Sequence, residues 1–233
     1  MPLLIKGLQK TSLVDFPPYT VAIVFLPYCN FRCPYCHNRD LVLNYDELPT
    51  ITEEEVLSFL DSRKGWLDGI SFTGGEPLMH KEIVPFIQKL KEKGLVVKVD
   101  TNGTNPELLK ELYDKKLVDF IAMDIKAPFE KYEDVVKMKV DIEKIKKSVG
   151  LIRNSGVDYE FRITVVPKLT SREDLLKIGE QLKGSKRFFI QQFRAQMGTL
   201  DKSYETEKSY SLNELKGFVE MLKPYFDEVE LRT

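Results

Sequence analysis

Short runs of β-branched and apolar residues alternate along this chain with longer charged segments of helical period, and no other feature constrains the fold as strongly. Strict alternation of strands and helices implies parallel strands joined by right-handed crossovers. The pattern predicts an α/β fold, either an open doubly wound sheet or a complete or partial barrel. The predicted strands lie near 21–26, 69–73, 95–100, 118–123, 159–165 and 187–191.

Helix signals lie between the predicted strands. Thr52 with Glu55 forms a capping-box pattern, and Asn105 with Pro106 occupies the favoured cap and first-turn positions of another helix. An amphipathic segment ends at Gly94. Further helices are predicted at 141–154, 171–183 and 211–223.

The chain is expected to form a single domain over residues 1–233. It contains no linker rich in Pro, Gly or Ser, no repeat of fixed period and no low-complexity tract. VELRT (229–233) is predicted to add an edge strand, whereas 192–210 lacks periodicity and is predicted to be a long loop.

Polar motifs follow the predicted strands in consistent places. Because the carboxyl ends of parallel strands share one face of an α/β fold, these motifs are expected to converge on one rim. They are the cysteines, GGEP (74–77), DTNG (100–103), MDIK (123–126) and QQF (191–193).

All three cysteines fall close together, as Cys29-x3-Cys33-x2-Cys36. An odd, clustered set argues against a disulfide framework and for a reducing compartment, with the cytoplasm as the natural setting. Thiolates select iron–sulfur clusters, zinc or copper(I) over hard metals. An iron–sulfur cube normally takes four such ligands, so three would leave one iron open to a ligand from elsewhere.

Two other uses of the cysteines stay open from the residues alone. With His37 they could form a Cys3His zinc site, although the adjacent Cys36 and His37 would reach one small ion with difficulty. CPYC (33–36) is also the active-site tetrapeptide of glutaredoxins, and TVVP (164–167) is similar to their proline loop. Glutaredoxins are much shorter, and the loop lies too far downstream here.

Charge and hydropathy argue against two classes of partner. The chain has 35 Lys+Arg against 36 Asp+Glu, so no basic stripe for nucleic acid is expected. Nowhere do eighteen or more apolar residues run together, and no basic segment followed by an apolar run opens the sequence. Neither a membrane span nor a signal peptide is therefore predicted.

The C-x3-C-x2-C spacing with Tyr35 before the third cysteine, followed by GGEP on the next strand, resembles the radical S-adenosylmethionine (SAM) superfamily. The resemblance covers residues 21 to about 191 and implies a partial (β/α)6 barrel of parallel strands with N- and C-terminal additions. It implies a [4Fe-4S] cluster on Cys29, Cys33 and Cys36, with the open iron chelated by the amino and carboxylate groups of SAM. Reductive cleavage then gives methionine and a 5′-deoxyadenosyl radical, while the protein positions the cofactor.

The same resemblance implies SAM-binding roles for residues on the rim. Gly74 and Gly75 would let the backbone approach the methionine end of SAM, and Glu76 would accept from its ammonium group. Lys126 and Arg162 would pair with the methionine carboxylate. The expected SAM-binding residues are Tyr35, Gly74, Gly75, Glu76, Pro77, Asp100, Thr101, Asn102, Asp124, Lys126 and Arg162.

Ribose and adenine contacts are expected from the remaining members of that set. Asp100, Thr101 and Asn102 would bond the ribose hydroxyls, Asp124 would face the same place, and Tyr35 would pack near the adenine. Asp100 and Asp124 could instead hold a monovalent cation.

The histidines are assigned no cofactor role. His37 is not expected to be a ligand, and His80 is predicted to lie at a helix start. A downstream histidine that helps to hold the methionine group in some glycyl-radical-enzyme activators has no counterpart here. Gln191, Gln192 or Arg194 is expected to substitute for it.

A more specific resemblance concerns the reaction. GLQKTSLVDFP (7–17), VAIVFLPYCNFRCPYCHN (21–38) and SFTGGEPL (71–78) are similar to anaerobic ribonucleoside-triphosphate reductase activating proteins. YCHNRD (35–40) and MDIK are similar to pyruvate formate-lyase activators. Both groups abstract a hydrogen from one glycine Cα of a glycyl radical enzyme. Relatives carry glycine where this chain has Tyr28 and Pro18.

These resemblances imply the partners. No further cysteine is available for an auxiliary cluster, and a small partial barrel leaves a lateral opening for a protein loop. The expected substrate is a glycyl radical enzyme whose loop Asp15 would help to position, unless Asp15 is only a cap or turn residue. A flavodoxin- or ferredoxin-like protein would donate the electron. The alternatives are a pyruvate formate-lyase-type activase, a small-molecule or tRNA-base radical enzyme such as one of deazapurine synthesis, and a zinc-stapled binding module.

Overall fold

An eight-stranded sheet forms the framework of the protein in a computed structural model that describes residues 1–233. Each strand lies beside the next in chain order, and β1 pairs antiparallel with β2 while all later neighbours pair parallel. The strands are β1 (Gly7–Ser12), β2 (Val21–Leu26), β3 (Gly69–Gly74), β4 (Val96–Thr101), β5 (Phe120–Asp124), β6 (Asp158–Val165), β7 (Ser185–Gln192) and β8 (Phe226–Arg232).

The strand order decides between the two predicted architectures. A doubly wound sheet reverses its order at a switch point, whereas this sheet runs in sequence from β1 to β8. The sheet is therefore singly wound, as in a barrel, and it stays open because β1 and β8 do not pair.

Helices follow most of the parallel strands, and side-chain oxygens cap five of the six longer helices, α3 (Ile83–Glu92) being the exception. Thr52, Asn105, Asp141, Ser171 and Ser211 each accept a hydrogen bond from the first turn of a helix. The helices are α1 (Arg39–Leu43), α2 (Glu53–Ser62), α3 (Ile83–Glu92), α4 (Pro106–Asp114), α5 (Tyr132–Val136), α6 (Ile142–Asn154), α7 (Arg172–Leu182) and α8 (Leu212–Leu222).

One face of the sheet is apolar and packs against the helices. A cluster of 53 buried residues joins this face to the inner sides of the helices, for example Leu109 of α4 and Ile145 of α6. Its strand members recur at every second position, as expected for one face of a sheet. They include Ala22, Val24, Leu26, Ile70, Phe72, Val97, Val99, Ile121, Met123, Phe161, Ile163, Phe188 and Ile190.

The opposite face lines the interior of the open barrel, here called the lumen, and it is charged. Lys98 and Asp100 of β4 alternate with the apolar residues of that strand, and Glu160 and Arg162 do so in β6. Lys98, Asp100 and Glu160 are buried, with Lys98 only 2% exposed, and Arg162 is half-buried. Because buried charges need partners, the lumen must be held together by ion pairs.

A small apolar cluster lies at the amino-terminal ends of the strands. Phe16 packs against Phe120 with ring centroids 5.3 Å apart, and Val21 and Ala122 complete the cluster. Phe16 precedes β2, so the cluster packs the segment before this strand against the amino-terminal ends of the strands.

The structure confirms the six predicted strands as β2 to β7, and it confirms the predicted edge strand as β8, which begins earlier, at Phe226. The antiparallel strand β1 was not predicted, because GLQKTS has an exposed side and lacks a run of apolar residues. The predicted long loop 192–210 contains two short 3-10 helices, Ala195–Met197 and Lys202–Tyr204. None of the helices combines the length and apolar character needed to span a bilayer.

Candidate active site

A cavity of about 340 Å³ opens at the carboxyl ends of the strands. Its walls include all three cysteines and every predicted SAM-binding residue except Pro77, which begins the 3-10 helix Pro77–Met79. The predicted convergence of the polar motifs is thus confirmed for four of the five motifs. The fifth, QQF, does not line the cavity.

The backbone turns sharply between β2 and the first cysteine. Tyr28 has a φ of 63°, in the left-handed region that favours glycine. Its N–H donates to the carbonyl of Leu41 at 2.7 Å, and its carbonyl accepts from the N–H of Glu76 at 2.7 Å. These bonds fix the point from which Cys29 enters the cavity, at a backbone conformation that glycine would adopt without strain.

Gly74 and Gly75 leave room for this turn. A Cβ at Gly75 would lie 1.9 Å from the carbonyl oxygen of Tyr28, and one at Gly74 would lie 2.5 Å from that of Leu26. Gly74 also has a φ of +115°. The glycines were predicted to let the backbone approach a bound methionine group. They also let GGEP approach the backbone that leads into the cysteines.

Two side chains connect the cysteine loop, residues 29–38, and the turn before it to the GGEP region. Asn38 Nδ2 donates to the carbonyl of Gly74 at 2.5 Å. His80 Nε2 lies 2.7 Å from the carbonyl oxygen of Pro27, which requires a proton on Nε2 because a carbonyl can only accept. His80 lies just before α3, near its predicted place, and it has a structural bond that the sequence did not indicate.

Burial governs the acidity of the three thiols. It raises the pKa of Cys29 to about 12, with the Glu76 carboxylate adding to the effect, and it raises the pKa of Cys33 to about 11. The pKa of Cys36 is raised for the same reason. The charge of Lys126 acts in the opposite direction on all three thiols. A metal centre must therefore displace protons here, and Lys126 favours that displacement.

The donor set suits a cluster better than a single ion. No group of three or more His, Cys, Asp or Glu side chains in the chain is arranged to surround one metal ion. A structural zinc site needs four donors around one ion, whereas thiolate ligands of an iron–sulfur cube bind different irons. The ring of His37 stacks on Phe193 with centroids 5.8 Å apart, and burial lowers its pKa.

Glu76 ties the end of β3 to the end of β4. Its Oε1 accepts from Leu78 N at 3.0 Å and from Thr101 Oγ1 at 2.7 Å, and its Oε2 accepts from Asn102 N at 2.6 Å. Burial raises the pKa of Glu76 to about 7, against the opposing effect of these hydrogen bonds. Oε2 retains one acceptor position, which is enough for the ammonium group expected from the sequence.

Arg162 bridges the buried carboxylate of Asp100 and the half-buried carboxylate of Asp124. Its Nε lies 2.5 Å from Asp124 Oδ1, and its Nη2 lies 2.9 Å from Asp100 Oδ2. Lys126 Nζ lies 3.1 Å from Asp124 Oδ2, and Lys98 Nζ lies 3.0 Å from Asp100 Oδ1. Asp100 and Asp124 were predicted as an alternative site for a monovalent cation. In the structure, Arg162 supplies a positive charge between them.

The same pairs decide which groups are charged. Burial opposes ionisation of Asp124, but the charges of Arg162 and Lys126 outweigh it and hold its pKa well below the usual range. Arg162 and Lys98 likewise outweigh burial and lower the pKa of Asp100. Both carboxylates are therefore ionised at neutral pH.

Two buried polar atoms test whether SAM fits the cavity. The hydroxyl of Tyr35 has no hydrogen-bond partner. Asp100 Oδ1 accepts no hydrogen bond of good geometry, but its charge is paired with Lys98 Nζ at 3.0 Å. Buried polar atoms are normally satisfied, so the Tyr35 hydroxyl is a position where a ligand can bond. A cavity of about 340 Å³ also lies within the range of small-molecule sites. The residues present fit an adenosyl ligand.

Asp15 lies away from the cavity. Lys98 Nζ donates to its carbonyl at 2.8 Å and lies 3.3 Å from its Oδ2. Asp15 is adjacent to Phe16 of the small apolar cluster. Because Lys98 pairs with both Asp15 and Asp100, a chain of ion pairs runs through the lumen from Asp15 to Asp100.

None of the candidate substitutes for a downstream histidine lines the cavity. Gln192 Nε2 donates to the carbonyl of Tyr210 at 3.0 Å, and Gln191 Oε1 accepts from Thr164 Oγ1 at 3.4 Å. Arg194 lies outside the lining as well, and Met197 from the same segment lies within it.

Several lining residues were missed from the sequence. Thr73 and Thr164 stand two positions from Gly75 and Arg162, so same-face alternation along a strand could have found them. Asn38 lies beside the predicted cysteine motif. Val42, Phe31 and Met197 carried no signal, because apolar residues of their kind recur throughout the chain.

Comparison with known proteins decides the family. A sequence profile for the radical SAM superfamily matches residues 23–180, more than half of the chain. The chain belongs to the radical SAM superfamily. Membership implies a [4Fe-4S] cluster and SAM as cofactors.

Two relatives refine the place of this radical SAM chain. It is 36% identical over 238 residues to a candidate glycyl-radical enzyme activating enzyme of Methanocaldococcus jannaschii, covering 100% of this chain and 97% of that protein. It is 33% identical over 187 residues to the pyruvate formate-lyase-activating enzyme of Clostridium pasteurianum, covering 77% of this chain and 76% of that protein. The chain is therefore a radical SAM enzyme of the glycyl-radical enzyme activating family.

A solved structure supports the fold. The radical SAM chain is similar to Streptococcus suis SuiB bound to S-adenosylmethionine, with a TM-score of 0.67 and 16% identity, covering 89% of this chain and 51% of SuiB. The chain thus spans about half the length of SuiB. At this identity, the similarity shows the α/β fold alone.

Proposed function

We propose that this radical SAM enzyme takes a hydrogen from a glycine Cα of a glycyl radical enzyme, and that this partner is an anaerobic ribonucleoside-triphosphate reductase. The observation that carries the proposal is the convergence of the three cysteines on one cavity, in a chain similar along its whole length to a candidate glycyl-radical enzyme activating enzyme. The segment 7–17, which resembles reductase activators, favours that reductase as the partner.

In this proposal Cys29, Cys33 and Cys36 hold the cluster. The remaining rim residues hold SAM, except for the side chain of Asn102, whose hydrogen-bonding positions are used within the protein. When bound, the cluster and SAM supply the electron transfer and the 5′-deoxyadenosyl radical. Lys126 and Arg162 supply positive charge for the methionine carboxylate, with Asp124 holding both cations in place.

The remaining rim residues orient the adenosyl end. The Tyr35 hydroxyl supplies a free hydrogen-bonding position for that end of SAM. Tyr35, Phe31 and Val42 exclude water from the cavity. A monovalent cation on Asp100 and Asp124, the alternative to their ribose role, would have to share both carboxylates with Arg162.

The glycine loop of the partner would enter where the sheet stays open, between β1 and β8. The open sheet supports this route because a protein loop is too large for a closed barrel of this size. Asp15 would contact such a loop from the amino-terminal end of the lumen. A flavodoxin- or ferredoxin-like protein would supply the electron, in a reducing cytoplasm that keeps the three thiols free.

The test is anaerobic reconstitution with iron and sulfide, followed by electron paramagnetic resonance with and without SAM. The reconstituted protein is then mixed with reduced flavodoxin and an anaerobic reductase. We expect a cluster signal that SAM changes and a glycyl radical doublet on the reductase. The controls are Cys33→Ala in this chain and Gly→Ala at the radical site of the reductase, and both should abolish the doublet.

Other results would point elsewhere. A doublet on pyruvate formate-lyase but not on the reductase would support the second candidate partner, which the Clostridium pasteurianum relative favours. Cleavage of SAM without a radical on either protein would support a small-molecule or tRNA-base substrate. Uptake of zinc without a cluster would overturn the proposal.

A further inference from the structure

The side chain of Asn102 is locked beside the first cysteine. It is 5% exposed, and its Oδ1 accepts from Thr104 N at 3.0 Å and from Thr104 Oγ1 at 2.7 Å. A backbone N–H can only donate, so the atom that faces it must be the amide oxygen. The amide nitrogen of Asn102 therefore points the other way, toward the cysteine loop.

Both hydrogens of this nitrogen have partners. Asn102 Nδ2 lies 2.9 Å from Asn30 Oδ1 and 3.8 Å from Cys29 Sγ. Asn30 Nδ2 in turn donates to Thr104 Oγ1 at 2.9 Å. Asn30, Asn102 and Thr104 thus form a closed ring of hydrogen bonds, and the hydrogen left over is directed at the sulfur of Cys29.

This contact differs from the other hydrogen bonds to the cysteines. The backbone N–H of Phe31 also donates to Cys29 Sγ, at 3.4 Å, but any residue at position 31 except proline would provide it. Asn102 alone donates from a side chain to a cysteine sulfur. It also has no free hydrogen-bonding position for a ribose hydroxyl, because its four are used within the protein.

Hydrogen bonds to the sulfurs are one of the means by which a protein sets the reduction potential of an iron–sulfur cluster. Reduction adds negative charge to the cluster, part of which falls on its thiolate ligands. A donor therefore stabilises the reduced state more than the oxidised state. Cys29 is half-buried, and the low local dielectric of such a site makes the bond stronger than it would be in water.

We propose that Asn102 is a positioning residue that raises the reduction potential of the cluster through its N–H bond to Cys29 Sγ. The inference rests on the proposed function, in that it takes the three cysteines as the ligands of the cluster. The DTNG motif would then act on the cluster, through Asn102, as well as on SAM.

The experiment is a potentiometric titration of the reconstituted protein without SAM, with the reduced cluster followed by electron paramagnetic resonance. Asn102→Ala should shift the midpoint to a more negative potential, so that the ratio of reduced to oxidised cluster at a fixed potential falls about fivefold, as for the loss of one hydrogen bond. Asn30→Ala removes the ring partner but keeps the donor to sulfur, and its shift should be much smaller.

Asn38→Ala is the matched control. It removes another side-chain amide that holds the cysteine loop, but that amide donates to the carbonyl of Gly74 and not to sulfur. Its midpoint should equal that of the wild type. An Asn102→Ala midpoint equal to that of the wild type, or an equal shift in all three variants, would overturn the proposal.

A measurement on the wild type covers the case in which Asn102→Ala fails to hold a cluster. Protein labelled with ¹⁵N in its asparagine side chains should show a pulsed electron–nuclear coupling to the reduced cluster that persists in Asn30→Ala. Absence of the coupling would overturn the role of Asn102. If the wild type binds no cluster at all, the proposed function fails instead.

Discussion

Neighbouring residues of β6 lie in two different environments: Phe161 and Ile163 pack against the helices, whereas Glu160 and Arg162 face the lumen. On the helix side, stability comes from the area removed from water, which does not depend on direction. On the lumen side it comes from pairs of opposite charge, in which each group depends on a particular partner. The helix side is therefore destabilised by a loss of side-chain volume, and the lumen side by a charged group that has lost its partner.

The largest expected effect is on the helix side. Phe161→Ala should lower the free energy of unfolding by about 3–5 kcal/mol, because a fully buried aromatic ring is replaced by a cavity. No titratable group is lost, so the loss should be equal at pH 7 and pH 4. Denaturant unfolding at the two pH values measures it. A loss that depended strongly on pH would contradict the assignment of this face.

On the lumen side, Arg162→Met should cost about 3 kcal/mol at pH 7, because Asp100 and Asp124 lose their shared partner while Lys98 and Lys126 remain. The lowered pKa values of both aspartates mean that their stabilising effect is present above about pH 4 and is lost as the pH falls further. The deficit of the variant should therefore shrink below about pH 4.

Phe161→Ala is the control for this comparison, since it has a similar effect and no pH dependence. The same denaturant series serves both variants. If the free energy of unfolding of Arg162→Met were as far below that of the wild type at pH 3 as at pH 7, the effect would come from lost volume. The lumen face would then not depend on charge pairs.

A smaller effect is expected for Glu76→Gln, just after the carboxyl end of β3. The pKa of Glu76, raised to about 7, means that its stabilising contribution is complete below about pH 4 and is lost as the pH rises toward 7. In the variant, the amide NH₂ group faces N–H and O–H groups that donate hydrogen bonds to the wild-type carboxylate. The lost hydrogen bonds lower the free energy of unfolding by about 1–3 kcal/mol.

The wild type should therefore exceed Glu76→Gln in stability most clearly at pH 5 and less at pH 8. Both proteins are compared before iron is added, since a charged cluster beside Cys29 would change the pKa of Glu76. An advantage that grew with pH would show that the carboxylate is preferentially stabilised in its charged form.

The smallest effect is expected at the turn before the cysteines. Tyr28→Gly should be more stable than Tyr28→Ala by about 1 kcal/mol, because both remove the ring but only glycine relieves the left-handed backbone. Thermal unfolding of the two variants measures the difference. Equal stability would indicate that the turn relaxes once the tyrosine is removed.

The helix face could be predicted in detail and the lumen only in part. Alternating apolar residues such as Val97 and Val99 signal a strand without knowledge of its neighbours. Lys98 and Asp100 alternate with these valines, which is the pattern of a strand with one side in water. Their burial follows from partners such as Arg162, 62 residues from Asp100, which no local pattern reveals.

The candidate site divides in the same way. The resemblance to the radical SAM superfamily, together with the shared edge of parallel strands, predicted most of the polar residues that meet at the cavity. The orientation of each side chain was not predictable. Asn102 was expected to face a ribose, but the ring with Thr104 and Asn30 turns its amide nitrogen toward Cys29.

The alternation along β6 also limits how such a chain can change in length. One residue inserted between Glu160 and Ile163 would move Arg162 among the helices and an apolar side chain among the charges, so both layers would fail together. Insertions and deletions can therefore accumulate only outside the strands. The long connection 192–210, part of which lies against the cavity, is the segment most open to such divergence.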